Sequence, residues 1–105
     1  MCDKNIDNAC VVEVESEIES IIPEFLENRK NDCMKVDLLV RDGAFGDLRT
    51  LGHRMKGAGG SYGFDEISEI GEAIEEGALN ADSEAILAAS RRLSDYLQRV
   101  TVVYV

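Results

Sequence analysis

The chain has 105 residues, and its 21 acidic side chains outnumber its 11 basic ones, which gives a formal net charge of −10 at pH 7. This length fits a single domain with one modest hydrophobic core. Such an acidic chain is repelled by nucleic acid and by anionic membrane surfaces, so we expect neither as a partner. The sequence has no apolar run near the roughly 18 to 20 residues of a membrane span and no basic, apolar signal region, so we expect a cytoplasmic protein.

The cysteines argue against a metal site. Cys2, Cys10 and Cys33 show no Cys-x-x-Cys spacing, and the chain has a single histidine. Any zinc site would therefore lack ligands at the usual spacing, and no metal is expected. In an intracellular protein, we expect all three cysteines to be reduced thiols, with Cys33 in the core.

The two ends of the chain have the composition of strands. Residues 1–9 are polar and are expected to be flexible. Residues 10–14 and 100–105 are rich in β-branched side chains. Either these two segments pair as a small two-stranded clip, or the first is coil and the second is a fraying helix end.

Helical patterns fill the region between the two ends. Ser16 and Glu19 have the spacing of a capping box, which predicts a short helix over residues 17–22. Pro23 suits the first turn of a second helix, which should end at Asp42 and Gly43. This helix has apolar side chains at helical spacing, namely Phe25, Leu26, Cys33, Val36 and Val40.

The remaining helices are predicted from their caps and apolar spacing. The third should begin near Ala44, but alanine cannot cap a helix, so a start shifted toward Asp42 or Gly43 is the alternative. Asp65 is the predicted N-cap of the next helix, and residues 80–82 should end it. The last helix should cover residues 83–100. The predicted inward side chains of these last two helices are Ile67, Ile70, Ile74, Ala78, Ile86, Ala89, Leu93, Leu97 and Val100.

Four long amphipathic segments with short connections predict an all-α fold. The expected architecture is an antiparallel up-down four-helix bundle over residues 1–105, with a short extra helix near the N-terminus. A small β pairing of the two ends would add to this bundle.

Residues 45–63 contain the only histidine and six of the nine glycines. A helix turns about 100° per residue, which places Phe45, Leu51, Met55 and Tyr62 close to the direction of Leu48 as one apolar stripe. The histidine, His53, lies about 140° from that stripe. It is therefore expected on the solvent side of the helix.

The residues nearest to His53 on this helical face are Gly46, Arg49, Gly57 and Gly60. An exposed glycine costs a helix about 0.8 to 1 kcal/mol relative to alanine, so helix stability alone does not favour this composition. The bare surface indicates that a partner approaches the imidazole. Gly52 and Gly59 lie on the packed face instead, where we expect them to let a neighbouring helix come close.

Lys56 lies one turn after His53 and places an ammonium group beside it. Residues 44–61 carry three basic side chains and one acidic side chain, so this segment is +2 while the rest of the chain is −12. A local basic patch suits docking to an acidic pocket. No carboxylate is expected beside His53 on its own helical face to act as an orienting base, which favours a carrier over an autonomous enzyme.

The sequence His53-Arg-Met-Lys56-Gly57, with Gly60 and then Gly63-Phe64, resembles the His-x-x-Lys-Gly signature of histidine-containing phosphotransfer (HPt) domains. The resemblance extends over residues 18–100 as helices of the expected number and order. Ala44 departs from it, because HPt domains usually have a polar N-cap at this point.

The resemblance implies a phosphorelay intermediate of a two-component system. By position, His53 would accept the phosphoryl group and Lys56 would stabilise it, while Gly46, Arg49, Gly57 and Gly60 would form the docking surface for a partner. The implied partners are receiver domains of response regulators and, in some systems, a hybrid histidine kinase. Such a carrier needs no cofactor of its own, since the receiver brings Mg²⁺, and a monomer is expected. The alternative is a helical adaptor bundle without phosphotransfer.

Overall fold

The computed structural model describes residues 10–105, which form four α-helices, a short 3-10 helix and two strands. In chain order these are β1 (Cys10–Val14), the 3-10 helix (Ser16–Ile21), α1 (Ile22–Arg41), α2 (Phe45–Ser61), α3 (Asp65–Leu79), α4 (Ser83–Arg99) and β2 (Val100–Tyr104). The predicted all-α four-helix bundle is confirmed. None of the helices described is long and apolar enough to cross a membrane.

The two ends pair as a parallel two-stranded clip. Cys10 lies opposite Val100 and Val14 lies opposite Tyr104. Alternate side chains of β1, those of Cys10, Val12 and Val14, are buried in the core. Parallel strands require a long connection, and here the entire helical bundle provides it. The alternative of a coil and a fraying helix end is wrong, and α4 ends at Arg99 because Val100 belongs to β2.

Two predicted helix starts need correction, and the predicted start near Ala44 is confirmed. Ser16 is the first residue of the 3-10 helix rather than its N-cap, which is Glu15. The backbone N–H of Ser16 donates to the carbonyl oxygen of Val105 instead of to Glu19, so the predicted capping box is wrong. Asp65 is the first residue of α3 rather than its N-cap. The N-cap is Phe64, whose ring is fully buried, so the start of α3 is set by core packing. Ala44 is the N-cap of α2 without a side-chain hydrogen bond, and the start is not shifted toward Asp42.

The turns between helices agree better with the sequence-based predictions than the helix starts do. Gly43 and Gly63 have φ values of 67° and 85°, in the left-handed region that favours glycine at helix ends. Asp82 caps α4 by accepting a hydrogen bond of 3.1 Å from the backbone N–H of Ala85. These short turns set consecutive helices antiparallel.

The core contains the predicted inward faces of α3 and α4, with Ile67, Ile70, Ile74, Ile86 and Leu93 fully buried. It also contains a large residue of α4 that the helical spacing left out, Tyr96. Burial, together with the nearby carboxylates of Glu66 and Asp65, raises the pKa of Tyr96 to about 12.

The cysteines differ in state. Cys33 is a free, half-buried thiol whose pKa is raised mainly by burial, as expected for a reduced cysteine near the core. Cys10 is disulfide-bonded, so the expectation of a reduced thiol is wrong there. That expectation rested on the assumed compartment, which does not determine which sulfur atoms lie close together. Cys2 and the expected flexibility of residues 1–9 lie outside the described residues.

Candidate functional site

Close packing of α2 against α3 positions the candidate site. A Cβ atom added at Gly52 would lie 2.6 Å from the backbone nitrogen of Glu75, and one at Gly59 would lie 2.7 Å from that of Ser68. The prediction that Gly52 and Gly59 admit a neighbouring helix is therefore confirmed. Gly71 of α3 has the same role from the other side, since a Cβ there would lie 2.7 Å from the carbonyl oxygen of Gly52.

His53 lies on the exposed face of α2, with 73% of its side chain accessible to solvent. Its Nδ1 is 3.1 Å from Oε2 of Glu75, whose side chain is only 24% exposed. No carboxylate of α2 itself approaches the ring, but α3 supplies one. The expectation holds for the helical face of His53 itself, but it did not consider α3, which supplies an orienting carboxylate because the two helices cross closely at Gly52 and Gly71.

This contact gives the two ring nitrogens of His53 different roles. A carboxylate accepts hydrogen bonds, so the Nδ1 atom of a neutral imidazole beside Glu75 is the one that carries the proton and donates it. Nε2 then holds the lone pair. The arrangement presents an exposed nitrogen nucleophile in a fixed orientation.

Lys56 also contacts α3. Its Nζ lies 3.6 Å from Oε2 of Glu72, and its backbone carbonyl accepts a hydrogen bond of 2.9 Å from the hydroxyl of Ser68. The structure thus brings together two pairs across the crossing, His53 with Glu75 and Lys56 with Glu72. Both partners belong to α3, and the sequence pattern alone assigned neither of them to the site.

The surface around His53 is as bare as the sequence predicts. A Cβ atom at Gly46 or Gly57 would meet no heavy atom within 4 Å, and one at Gly60 would meet only the Ser68 hydroxyl, at 3.8 Å. Arg49 is exposed on the same helix. These positions form an open surface that a partner can approach without displacing side chains.

A groove of about 770 Å³ lies between α1 and α2. The exposed apolar side chains of Met34 and Leu38 line it from α1, and Thr50 and Arg54 line it from α2. Helical spacing did not single out this groove, because it depends on how two helices pack. Within residues 10–105, no cluster of three or more His, Cys, Asp or Glu side chains could hold a metal ion.

Comparison with protein families supports the resemblance seen in the sequence. The family model described as "Hpt domain" matches residues 10–101, which include β1, all four helices and the first two residues of β2. No match was found among curated proteins or among solved structures.

Proposed function

Because the chain belongs to the HPt domain family of phosphorelay carriers, we propose that it accepts a phosphoryl group on His53 and exchanges it with an aspartate of a receiver domain. One observation carries this assignment to His53. Its imidazole is exposed on a surface bare of side chains, and Glu75 contacts the ring only through Nδ1. Nε2 is therefore the nitrogen that faces a partner.

In the proposed step, the lone pair of Nε2 attacks the phosphorus of a receiver aspartyl phosphate. An N–P bond forms as the bond between phosphorus and the aspartate oxygen breaks, and the electron pair of that bond returns to the aspartate carboxylate. The proton of Nδ1 stays in place, so the ring gains positive charge, which the Glu75 carboxylate at 3.1 Å stabilises. Transfer to a second receiver runs the same step in reverse.

The neighbouring residues supply charge and access. Lys56 lies one helical turn from His53, where its ammonium group can reach a phosphoryl oxygen. Phosphoryl transfer depends mainly on in-line positioning and charge neutralisation, so little further protein chemistry is required. Gly46, Arg49, Gly57 and Gly60 form the proposed docking surface, and its local positive charge complements an acidic receiver pocket.

The partner completes the site. Mg²⁺ belongs to the receiver in this proposal, and the carrier binds no cofactor of its own. A hybrid histidine kinase is the second class of phosphoryl donor. We place the exchange in the cytoplasm and treat the protein as a monomer that meets one receiver at a time.

The test is to incubate the purified protein with a receiver domain already phosphorylated by a small phosphodonor. The proposal predicts that phosphate moves to the protein and is acid-labile and alkali-stable, as phosphohistidine is. His53→Gln should acquire none. A wild-type protein that stays unphosphorylated with every receiver and kinase tested, while it binds partners through its surface, would instead support an adaptor bundle.

A further inference from the structure

The two side-chain contacts between α2 and α3 differ in distance and in the exposure of their glutamates. His53 and Glu75 are within hydrogen-bonding distance at 3.1 Å, and their side chains are 73% and 24% exposed. Lys56 and Glu72 are 3.6 Å apart, and their side chains are 44% and 55% exposed. Water and salt screen such an exposed pair strongly, so Lys56 can leave Glu72 at little cost.

A phosphoryl group on His53 would change the balance of charge around Lys56. It adds negative charge one helical turn from the ammonium group, while the carboxylates of Glu72 and Glu75 stay on α3. The Glu72 carboxylate and the phosphoryl group then share the positive charge of Lys56. The phosphoryl group must compete with Glu72 for it.

We propose that Glu72 is a positioning residue that holds Lys56 against α3 and competes with the phosphoryl group for its charge. This inference rests on the proposed function of His53 and concerns the stability of the phosphorylated state. No bond is made or broken in the exchange, since only the ion pair of Lys56 changes partner. By withholding part of the charge of Lys56, Glu72 shortens the lifetime of phosphohistidine and favours transfer to the next aspartate.

The experiment measures the lifetime of the phosphorylated protein without any receiver. Wild type and variants are phosphorylated with phosphoramidate, freed of donor, and followed by intact mass or ³¹P NMR at low salt. Glu72→Gln removes the competing charge and keeps the size of the side chain. Glu76→Gln is the matched control, because Glu76 is exposed one helical turn beyond Glu72, makes the same charge change and, among residues 10–105, forms no ion pair with Lys56.

The proposal predicts that Glu72→Gln lengthens the lifetime about 1.4- to five-fold, the range that corresponds to the measured strengths of exposed ion pairs. Glu76→Gln should leave it unchanged. In a Lys56→Ala background, Glu72→Gln should have no further effect, because its action depends on Lys56.

Two results would overturn the inference while leaving the proposed function intact. One is an equal lifetime for Glu72→Gln and Glu76→Gln. The other is an effect of Glu72→Gln that persists without Lys56, which would show that the carboxylate acts through space on the phosphoryl group. A wild-type protein that phosphoramidate cannot phosphorylate would overturn the proposed function and this inference with it.

Discussion

The substitutions Gly52→Ala and Gly57→Ala add the same methyl group to the same helix and should have opposite effects on stability. At Gly57 the new Cβ meets no atom within 4 Å, so the variant gains the helix propensity of alanine, about 0.5 to 1 kcal/mol. At Gly52 the new Cβ would lie 2.6 Å from the backbone nitrogen of Glu75 and 2.7 Å from the carbonyl oxygen of Gly71. Rotation of a side chain cannot relieve contacts with backbone atoms.

The cost at Gly52 follows from that geometry. The new Cβ would lie 2.6 Å from the backbone nitrogen of Glu75, whereas ordinary contact begins at 3.4 Å. The two helices must therefore separate by 0.8 Å at this point. Overpacking of this kind costs about 1 to 3 kcal/mol, and the gain in helix propensity offsets about 1. With rigid backbone on both sides we expect a net loss of about 2 kcal/mol, hence a difference of about 2.5 to 3 kcal/mol between the two variants.

Urea unfolding followed by helical circular dichroism measures this difference directly. The same separation should carry Glu75 out of hydrogen-bonding distance of His53, now 3.1 Å, so Gly52→Ala should also shift the ¹⁵N resonances of the imidazole. If Gly52→Ala proves as stable as Gly57→Ala, the helices are not in close contact at this crossing. The account of how Glu75 reaches His53 would then be wrong.

Three further predictions concern the positive charge of Lys56, the approach of a receiver past Gly57 and the buried Tyr96. Lys56→Ala should still be phosphorylated by phosphoramidate, but its phosphohistidine should hydrolyse faster, because a neighbouring cation stabilises the phosphoryl group without supplying the nucleophile. Equal phosphohistidine lifetimes in Lys56→Ala and wild type would show that Lys56 is only a solvated surface residue. Gly57→Leu should lose most transfer from a phosphorylated receiver and keep phosphorylation by phosphoramidate, whereas survival of both reactions would show that Gly57 is not in the docking surface. The pKa of Tyr96 is raised from 10 to about 12, so its contribution to stability is complete below pH 10 and is lost as the pH rises to 12. The free energy of unfolding should therefore fall by up to about 1.4 kcal/mol per pH unit in that window, and Tyr96→Phe, tested by urea unfolding, should lack this component of the fall.

Local spacing was sufficient to predict the surface around His53. The period of an α-helix places Gly46, Gly57 and Gly60 beside the histidine and Gly52 on the packed face, and the structure agrees at each position. Such predictions succeed because the residues share one helix, whose geometry is fixed within a few turns.

The partner of the imidazole could not be predicted in the same way. Glu75 is 22 residues from His53 and reaches it only because α2 and α3 cross closely. One signal was present in the sequence, since Gly71 lies on the face of α3 between Ile67 and Ile74, where a small residue permits close approach. Pairing Gly71 with Gly52 would have placed Glu75 and Glu72 beside the site.

Core packing explains the other differences. Asp65 has a side chain that suits an N-cap, but the buried Phe64, one residue earlier, takes the N-cap position of α3. The pairing of β1 with β2 joins segments about 90 residues apart, and spacing within either segment says nothing about the other. Cap preferences contribute about 1 kcal/mol, which the burial of a large aromatic ring readily exceeds.

The central claim is that Nε2 of His53 carries the phosphoryl group, and one NMR measurement tests it most directly. Protein labelled with ¹⁵N-histidine is treated with phosphoramidate beside His53→Gln, whose free energy of unfolding should stay within about 0.5 kcal/mol of wild type because the side chain is exposed. The account predicts that the wild type carries a single phosphoryl group bonded to Nε2 and that its Nδ1 stays protonated toward Glu75. The variant should carry no phosphoryl group. Phosphate on Nδ1, equal phosphorylation of His53→Gln, or unfolding of that variant would contradict it.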